Sequence, residues 1–172
     1  MSRKPDNRPL DLKTEQIQKY LDLFEPYLTN KHLPFLLNNS IDHEYGGYLT
    51  YFNRDGRRMD RTNKNLINQL RMIFTFSSAH RAGYGNGACE PAARQGVDWV
   101  IEHLWDKEYE GWYWITDRQG KVLDDSKIMY GHCFGIYSMA EYYLAFKDPR
   151  GWEYANKTFD VIQRLASDSA EG

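Results

Sequence analysis

The chain has 172 residues, enough for one domain with a sizeable apolar core, so neither disulfides nor a structural metal is needed to hold it together. Its 22 basic and 24 acidic residues leave a formal charge of −2, which gives no electrostatic ground for nucleic acid or an anionic membrane as partner. No apolar run approaches the length that spans a bilayer.

The start, Met1 to Pro9, is polar and lacks the apolar core of a secretory signal. Cys89 and Cys133 stand apart with no C-x-x-C spacing, which points to two buried thiols in a reducing compartment. Together these indicate a cytoplasmic protein with a disordered stretch over residues 1–10, a folded unit over 11–166 and a polar tail over 167–172. Aromatic residues are unusually frequent, with 13 Tyr, 8 Phe and 5 Trp. Most are expected in the core, but rings with a polar edge also line carbohydrate sites, where they cover apolar sugar faces.

The first helix is marked by Ile17, Tyr20, Leu21, Phe24, Tyr27 and Leu28 at amphipathic spacing, with Pro26 set to kink or divide it. Residues 33–41 close this element. Tyr48 to Phe52 alternate and are followed by Asn53-Arg54-Asp55-Gly56, the pattern of a short hairpin. A second helix is predicted over 64–82, ending in the glycine-rich turn 83–87. No strand precedes those glycines and no Gly-Lys-Ser/Thr follows, so a phosphate cradle is disfavoured against a plain loop. A third helix covers 90–105, and a second hairpin follows over 111–122 with Gln119-Gly120 at its turn. The fourth helix runs from Asp125 or Ser126 to Phe146 and is predicted to bury Met129, Cys133, Ile136, Tyr137, Ala140, Tyr143 and Leu144. Asp148-Pro149 opens a fifth, with an N-cap and a proline at the first helical position and a stripe of Trp152, Ala155, Phe159, Ile162 and Leu165.

One segment is used twice. A shift of 64 positions superposes Asp42, Glu44, Tyr45, Gly47, Tyr48, Arg54 and Gly56 on Asp106, Glu108, Tyr109, Gly111, Trp112, Arg118 and Gly120. A period of helix, hairpin, helix and loop makes units that bury one face only by stacking. An open α-solenoid and an α/α toroid both fit, and the hairpins, which gather at one end of a toroid, favour the second.

The same residues carry a resemblance. Asp42-His43-Glu44-Tyr45-Gly46-Gly47-Tyr48 with Arg54-Asp55-Gly56, then Lys64, Asn68 and Arg71 before Phe74-Thr75-Phe76-Ser77, then Trp112-Tyr113-Trp114, and Lys127 with Tyr130-Gly131-His132-Cys133-Phe134 before Ala140-Glu141-Tyr142-Tyr143 together resemble the N-terminal part of the N-acylglucosamine 2-epimerase superfamily, most closely its cellobiose 2-epimerase branch. The resemblance implies an all-α fold, an (α/α)6 barrel of which this chain holds five or six helices with short β-hairpins in the connections. It also implies epimerisation at C2 of a mono- or disaccharide, or aldose–ketose isomerisation, through a cis-enediolate and without a cofactor. By the resemblance Arg71 and Tyr130 line the barrel and contact substrate; Asn68 and His132, a helical turn or less away, are carried with them.

The two catalytic histidines of that family belong to positions beyond Gly172, and none of His32, His43, His80, His103 and His132 matches them. The missing part is then a C-terminal half or a second copy in a homo-oligomer. No histidine or carboxylate spacing suggests a metal site. Two other readings stay open. One is an inverting glycoside hydrolase drawing carboxylates from Asp42, Glu44, Asp106 and Glu108, although their recurrence before a glycine turn is more simply explained by turn hydrogen bonds. The other is a noncatalytic repeat that binds a glycan or a protein.

Overall fold

A computed structural model describes residues 14–166; the expected disordered start (1–10) and polar tail (167–172) lie outside these. Six α-helices follow in order, α1 (Thr14–Tyr27), α2 (Leu33–Asn39), α3 (Leu66–Arg81), α4 (Cys89–His103), α5 (Met129–Phe146) and α6 (Pro149–Ala166). Three short strands, β1 (Lys64–Asn65), β2 (Ile115–Thr116) and β3 (Val122–Asp124), form one antiparallel sheet in the order β1-β2-β3. No helix among the described residues is long and apolar enough to cross a membrane.

The first rod is not broken at Pro26. A π-helical turn, Leu28–His32, joins α1 to α2, and both flanking residues keep right-handed helical dihedrals. That turn lies between Pro26 and Pro34, two positions with no N–H for the helical ladder, so the hydrogen-bond register shifts there instead of stopping. Residues 33–39, expected as a closing segment, continue the helix.

The second predicted helix starts two residues late because Lys64 and Asn65 are taken by the sheet. The Asn65 side chain then caps α3 by accepting the Ile67 N–H at 3.0 Å. The fourth starts later still, at Met129, since Ile128 is extended (φ −81°, ψ 125°) and Asp124 holds the preceding turn through the Ser126 N–H. The N-cap at Asp148 stands as expected, accepting the Arg150 N–H at 3.1 Å ahead of Pro149. Of the two predicted hairpins, the second is β2–β3. The first is reduced to isolated bridges, Ile41 with Tyr48 and Phe52 with Arg58.

The core forms where α3 packs on α4 and on α5, and α5 on α6. Leu66, Leu70, Ile73 and Phe76 of α3 are fully buried, together with Tyr48 and Trp112 from the two loops. The buried faces of α5 and α6 differ from the predicted stripes. Helix α5 buries Gly131, His132, Gly135, Ser138, Met139 and Tyr142, while Tyr137 and Leu144 are exposed and so is Cys133. Only Cys89 is a buried thiol, one of the two expected. The cause is close approach: a Cβ on Gly131 would lie 2.7 Å from the Leu66 side chain, and one on Gly135 would lie 2.6 Å from Trp112 Nε1. A helix squeezed between two others turns its small residues inward, which an apolar stripe does not reveal. On α6, Gly151, Ala155, Thr158 and Val161 face in, leaving Trp152, Phe159 and Leu165 outside. The predicted stripe of α1 is likewise exposed, Phe24 at 62%.

Candidate functional site

The two copies of the repeated loop close in the same way. Asp42 N–H donates to Gly47 O and Asp106 N–H to Gly111 O, and each aspartate Oδ1 accepts two N–H groups two and three residues on. Asp42 is almost fully buried and binds Lys64 Nζ at 3.0 Å and the Arg118 guanidinium through two bonds of 2.9 Å. Burial opposes ionisation there, but the hydrogen bonds from Arg118 and Lys64 prevail and hold the carboxyl well below its ordinary range. Asp106 is also buried and binds Lys127 Nζ at 2.6 Å; burial again opposes, and Lys127 with the two N–H groups holds it down at about 2.

Each loop is also pinned to its following helix. The Tyr48 N–H donates to Gln69 Oε1, and Gln69 Nε2 donates to Tyr48 O, both at 2.8 Å. In the second unit the Trp112 N–H donates to His132 Nε2 at 3.1 Å, and the other ring nitrogen, Nδ1, bonds the Ile128 carbonyl at 3.1 Å. An accepting Nε2 leaves the proton on Nδ1, so both nitrogens are occupied. His132 is thus the structural counterpart of Gln69. Burial keeps it neutral by lowering its pKa, with the Ile128 bond opposing.

These clamps fix the sides of α3 and α5 that the core does not cover. Arg71 is exposed, and its guanidinium lies over the Phe134 ring at 4.9 Å. Tyr130 meets the same ring edge-on at 5.1 Å, and Tyr137 stands against it at 6.4 Å. Phe74 stacks on Tyr137 at 4.2 Å with an interplanar angle of 18°. The result is an aromatic shelf bearing one guanidinium, and among the described residues Arg71 has no carboxylate partner. Asn68, one turn before Arg71, is half-buried and donates to Thr50 Oγ1 at 3.1 Å, which ties it to the first loop. So Arg71 and Tyr130 come together around Phe134, Asn68 is at the loop side of the same helix, and His132 points into the core.

Phe74, Phe134 and Tyr137 were expected only as motif or core residues. Their signal is present in the repeat: a shift of 63 places Arg71 on Phe134 and Phe74 on Tyr137, so both helices turn equivalent positions to one surface. The other four histidines are placed elsewhere. His80 packs on Phe146 at 4.7 Å, His103 on Trp99 at 5.1 Å and His32 on Tyr27 at 6.3 Å, and His43 lies in the exposed part of the first loop. No group of three or more His, Cys, Asp or Glu among the described residues is arranged to hold a metal.

Residues 47–172 match the family model described as N-acylglucosamine 2-epimerase. The chain belongs to this family. Within the family it is 30% identical over 141 residues to cellobiose 2-epimerase from Bacteroides fragilis, covering 82% of this chain and 36% of that protein. It is 28% identical over 144 residues to the enzyme of the same name from Dictyoglomus turgidum. The cellobiose 2-epimerase structures from Spirochaeta thermophila and Bacillus thermoamylovorans superpose with TM-scores of 0.85 and 0.82 at 25% and 27% identity, over 95% and 88% of this chain. The fold is accordingly an α/α toroid of the (α/α)6 barrel type, incomplete in this chain. A D-mannose isomerase structure shares the fold at a TM-score of 0.70 and 21% identity. The chain spans 36% of the two sequence relatives and 40% and 39% of the two epimerase structures.

Proposed function

We propose that the α3–α5 shelf is the saccharide-binding wall of a sugar 2-epimerase or aldose–ketose isomerase, and that the acid and base come from outside these residues, from a C-terminal half or another copy. The observation that carries this reading is Arg71, a guanidinium without a carboxylate partner among the described residues, laid on the shelf of Phe134, Tyr130 and Tyr137. Aromatic faces cover the apolar C–H side of a pyranose, and a planar guanidinium donates two parallel bonds to vicinal oxygens.

The chemistry follows from the opened sugar. The C1 carbonyl makes the C2 proton acidic, a base removes it, and charge develops on the C1 oxygen of the enediolate. Arg71 donates to that oxygen and stabilises the charge, and Tyr130 and Asn68 orient the neighbouring hydroxyls. Return of the proton to the opposite face of C2 gives the epimer; return to C1, with the O2 hydroxyl proton passing to O1, gives the ketose. Either way no oxidant, reductant or leaving group is involved. Acid and base working near neutrality favour histidine, and none of the five here touches the shelf.

Of the four carboxyls in the hydrolase alternative, Asp42 and Asp106 do not suit the acid of such an enzyme, which needs a raised pKa, because both are held low in ion pairs inside their loops.

Saccharide titration of the 172-residue chain, followed by NMR with cellobiose, mannose and N-acetylmannosamine, tests the wall by itself. Arg71→Ala is expected to weaken binding about tenfold or more, since a charged hydrogen bond contributes about 1.5–3 kcal/mol. Unchanged affinity in Arg71→Ala and Tyr130→Ala would overturn the assignment of this surface.

A further inference from the structure

The second loop lies along the first two turns of α5. Trp112 and Trp114 stand against the two glycines there: a Cβ on Gly135 would lie 2.6 Å from Trp112 Nε1, and one on Gly131 would lie 3.1 Å from the Trp114 ring. Between these glycines sits His132, buried in the same contact. Among the described residues the one hydrogen bond from Trp112, Tyr113 or Trp114 to α5 is that of the Trp112 N–H to His132 Nε2. Trp112 is fully buried, and its indole N–H is already spent on Thr158 Oγ1 of α6 at 2.8 Å.

Nε2 accepts only while the ring is neutral. With a proton on each nitrogen the ring donates twice: Nδ1–H keeps the Ile128 carbonyl, and Nε2–H meets the Trp112 N–H, donor against donor across 3.1 Å. The surroundings add to the cost. A Cβ on Gly111 would lie 2.8 Å from His132 Nε2 and 3.4 Å from Val161, so α6 presents an apolar side chain at this spot, and α3 presents Leu66 beside Gly131. Among the described residues the charged side chain that bears on the ring is Lys127, a cation held by Asp106, and the titratable groups next to it on α5, Tyr130 and Cys133, are both exposed. Burial sets the ring's pKa below its ordinary 6.5, with the Ile128 bond opposing and Lys127 deepening the fall.

The first loop is docked on α3 by a bond of the same kind, from the Tyr48 N–H to Gln69 Oε1, and an amide does not titrate. Arg71 and Phe74 belong to α3, and Tyr130, Phe134 and Tyr137 to α5. One side of the shelf therefore rests on a clamp indifferent to pH and the other on a clamp that acid can open.

We propose that His132 is a positioning residue that makes the α5 side of the shelf sensitive to pH: neutral, it holds the second loop to the first turns of α5 and sets Tyr130 against Phe134; protonated, it releases the loop, and Tyr130 loses that setting. The latch stands by itself, and only its effect on a saccharide rests on the reading of the shelf given above. The closed form is complete above 6.5 and is lost as pH falls through the lowered value, a window apart from that of Asp42 and Asp106, which titrate below 3.8.

NMR on the 172-residue chain between about pH 7.5 and 4.5 reads the latch without any sugar. The Trp112 amide and Tyr130 ring signals are expected to move with one midpoint below 6.5, and the protection of the Trp112 amide against exchange falls about tenfold or more, while that of the Tyr48 amide holds. The Tyr48 amide is a reference inside the same molecule, so the result does not hang on a variant. His132→Gln, which gives the second unit the side chain of the first, removes that midpoint from both signals. Titration with cellobiose completes the test: the parent loses affinity about threefold or more from pH 7.5 to 5, and His132→Gln loses this dependence. A Trp112 amide equally protected down to pH 4.5, a Tyr130 ring that ignores its midpoint, or the same midpoint in His132→Gln would overturn the latch, and a flat affinity in the parent would overturn its coupling to the shelf. Failure of cellobiose to bind at any pH, with both signals behaving as expected, would support the latch and count against the saccharide reading alone.

Discussion

Asp42→Ala lowers the stability of the chain by about 3–5 kcal/mol, the cost of leaving a buried ion pair half made. The substitution strands Lys64, whose side chain is 0% exposed, beside two carbonyls alone, removes both bonds from Arg118, and frees the Glu44 and Tyr45 N–H groups. At roughly 2–4 °C per kcal/mol for a chain of this size, the melting temperature falls by about 10 °C. Asp106→Ala costs less, about 1–3 kcal/mol, because Lys127 keeps 22% of its side chain in water and can re-solvate. Equal losses in the two variants would show that the burial difference between the lysines carries no weight. Acid gives a second reading of the same groups. Both carboxyls titrate below the ordinary value of 3.8, so the unfolded chain takes up their protons first. Their contribution is complete above that value and is lost as pH falls toward 2 and, for Asp42, beyond. The acid limb of a stability–pH curve is therefore shallower in Asp42→Ala than in the parent chain.

Arg71→Ala has the opposite profile. Its side chain is exposed and rests on one ring face, so stability changes by less than about 1 kcal/mol. In a version extended to the length of the family, C2 proton exchange falls about 10²–10³-fold, the usual consequence of removing one donor from a developing oxyanion. Arg71→Lys restores charge but not the planar pair of donors, and recovers only part of the rate. A variant that exchanges within threefold of the parent would remove Arg71 from the chemistry.

Much of this architecture is legible in the chain because the repeat writes it twice. Asp42 and Asp106, with the glycines after them, announce the two loops, and the helices between follow from their apolar spacing. What the spacing misses is which face is buried. Helix α5 lies between α3 and α6, and it approaches them closely through Gly131 and Gly135, with Ser138, Met139 and Tyr142 on the same inward face; the conspicuous Tyr137 and Leu144 are left outside. Isolated motifs also misdirect. His132 sits in a suggestive Tyr-Gly-His run, yet it does for Trp112 what Gln69 does for Tyr48, a role visible only when the two units are superposed. The ion pair of Arg118 with Asp42 spans 76 positions and crosses from one unit to the other, so no local pattern discloses it.

The measurement that bears most directly on the saccharide reading is C2 proton exchange, followed by NMR in deuterated buffer with mannose, N-acetylmannosamine and cellobiose. It is made on the 172-residue chain and on a version extended to family length. Exchange in the extended version and none in the shorter chain is the predicted result, with the wall here and the acid and base elsewhere. Absence of exchange in the extended version would contradict the epimerase–isomerase reading, and exchange by the 172-residue chain as a monomer would contradict the placement of its acid and base.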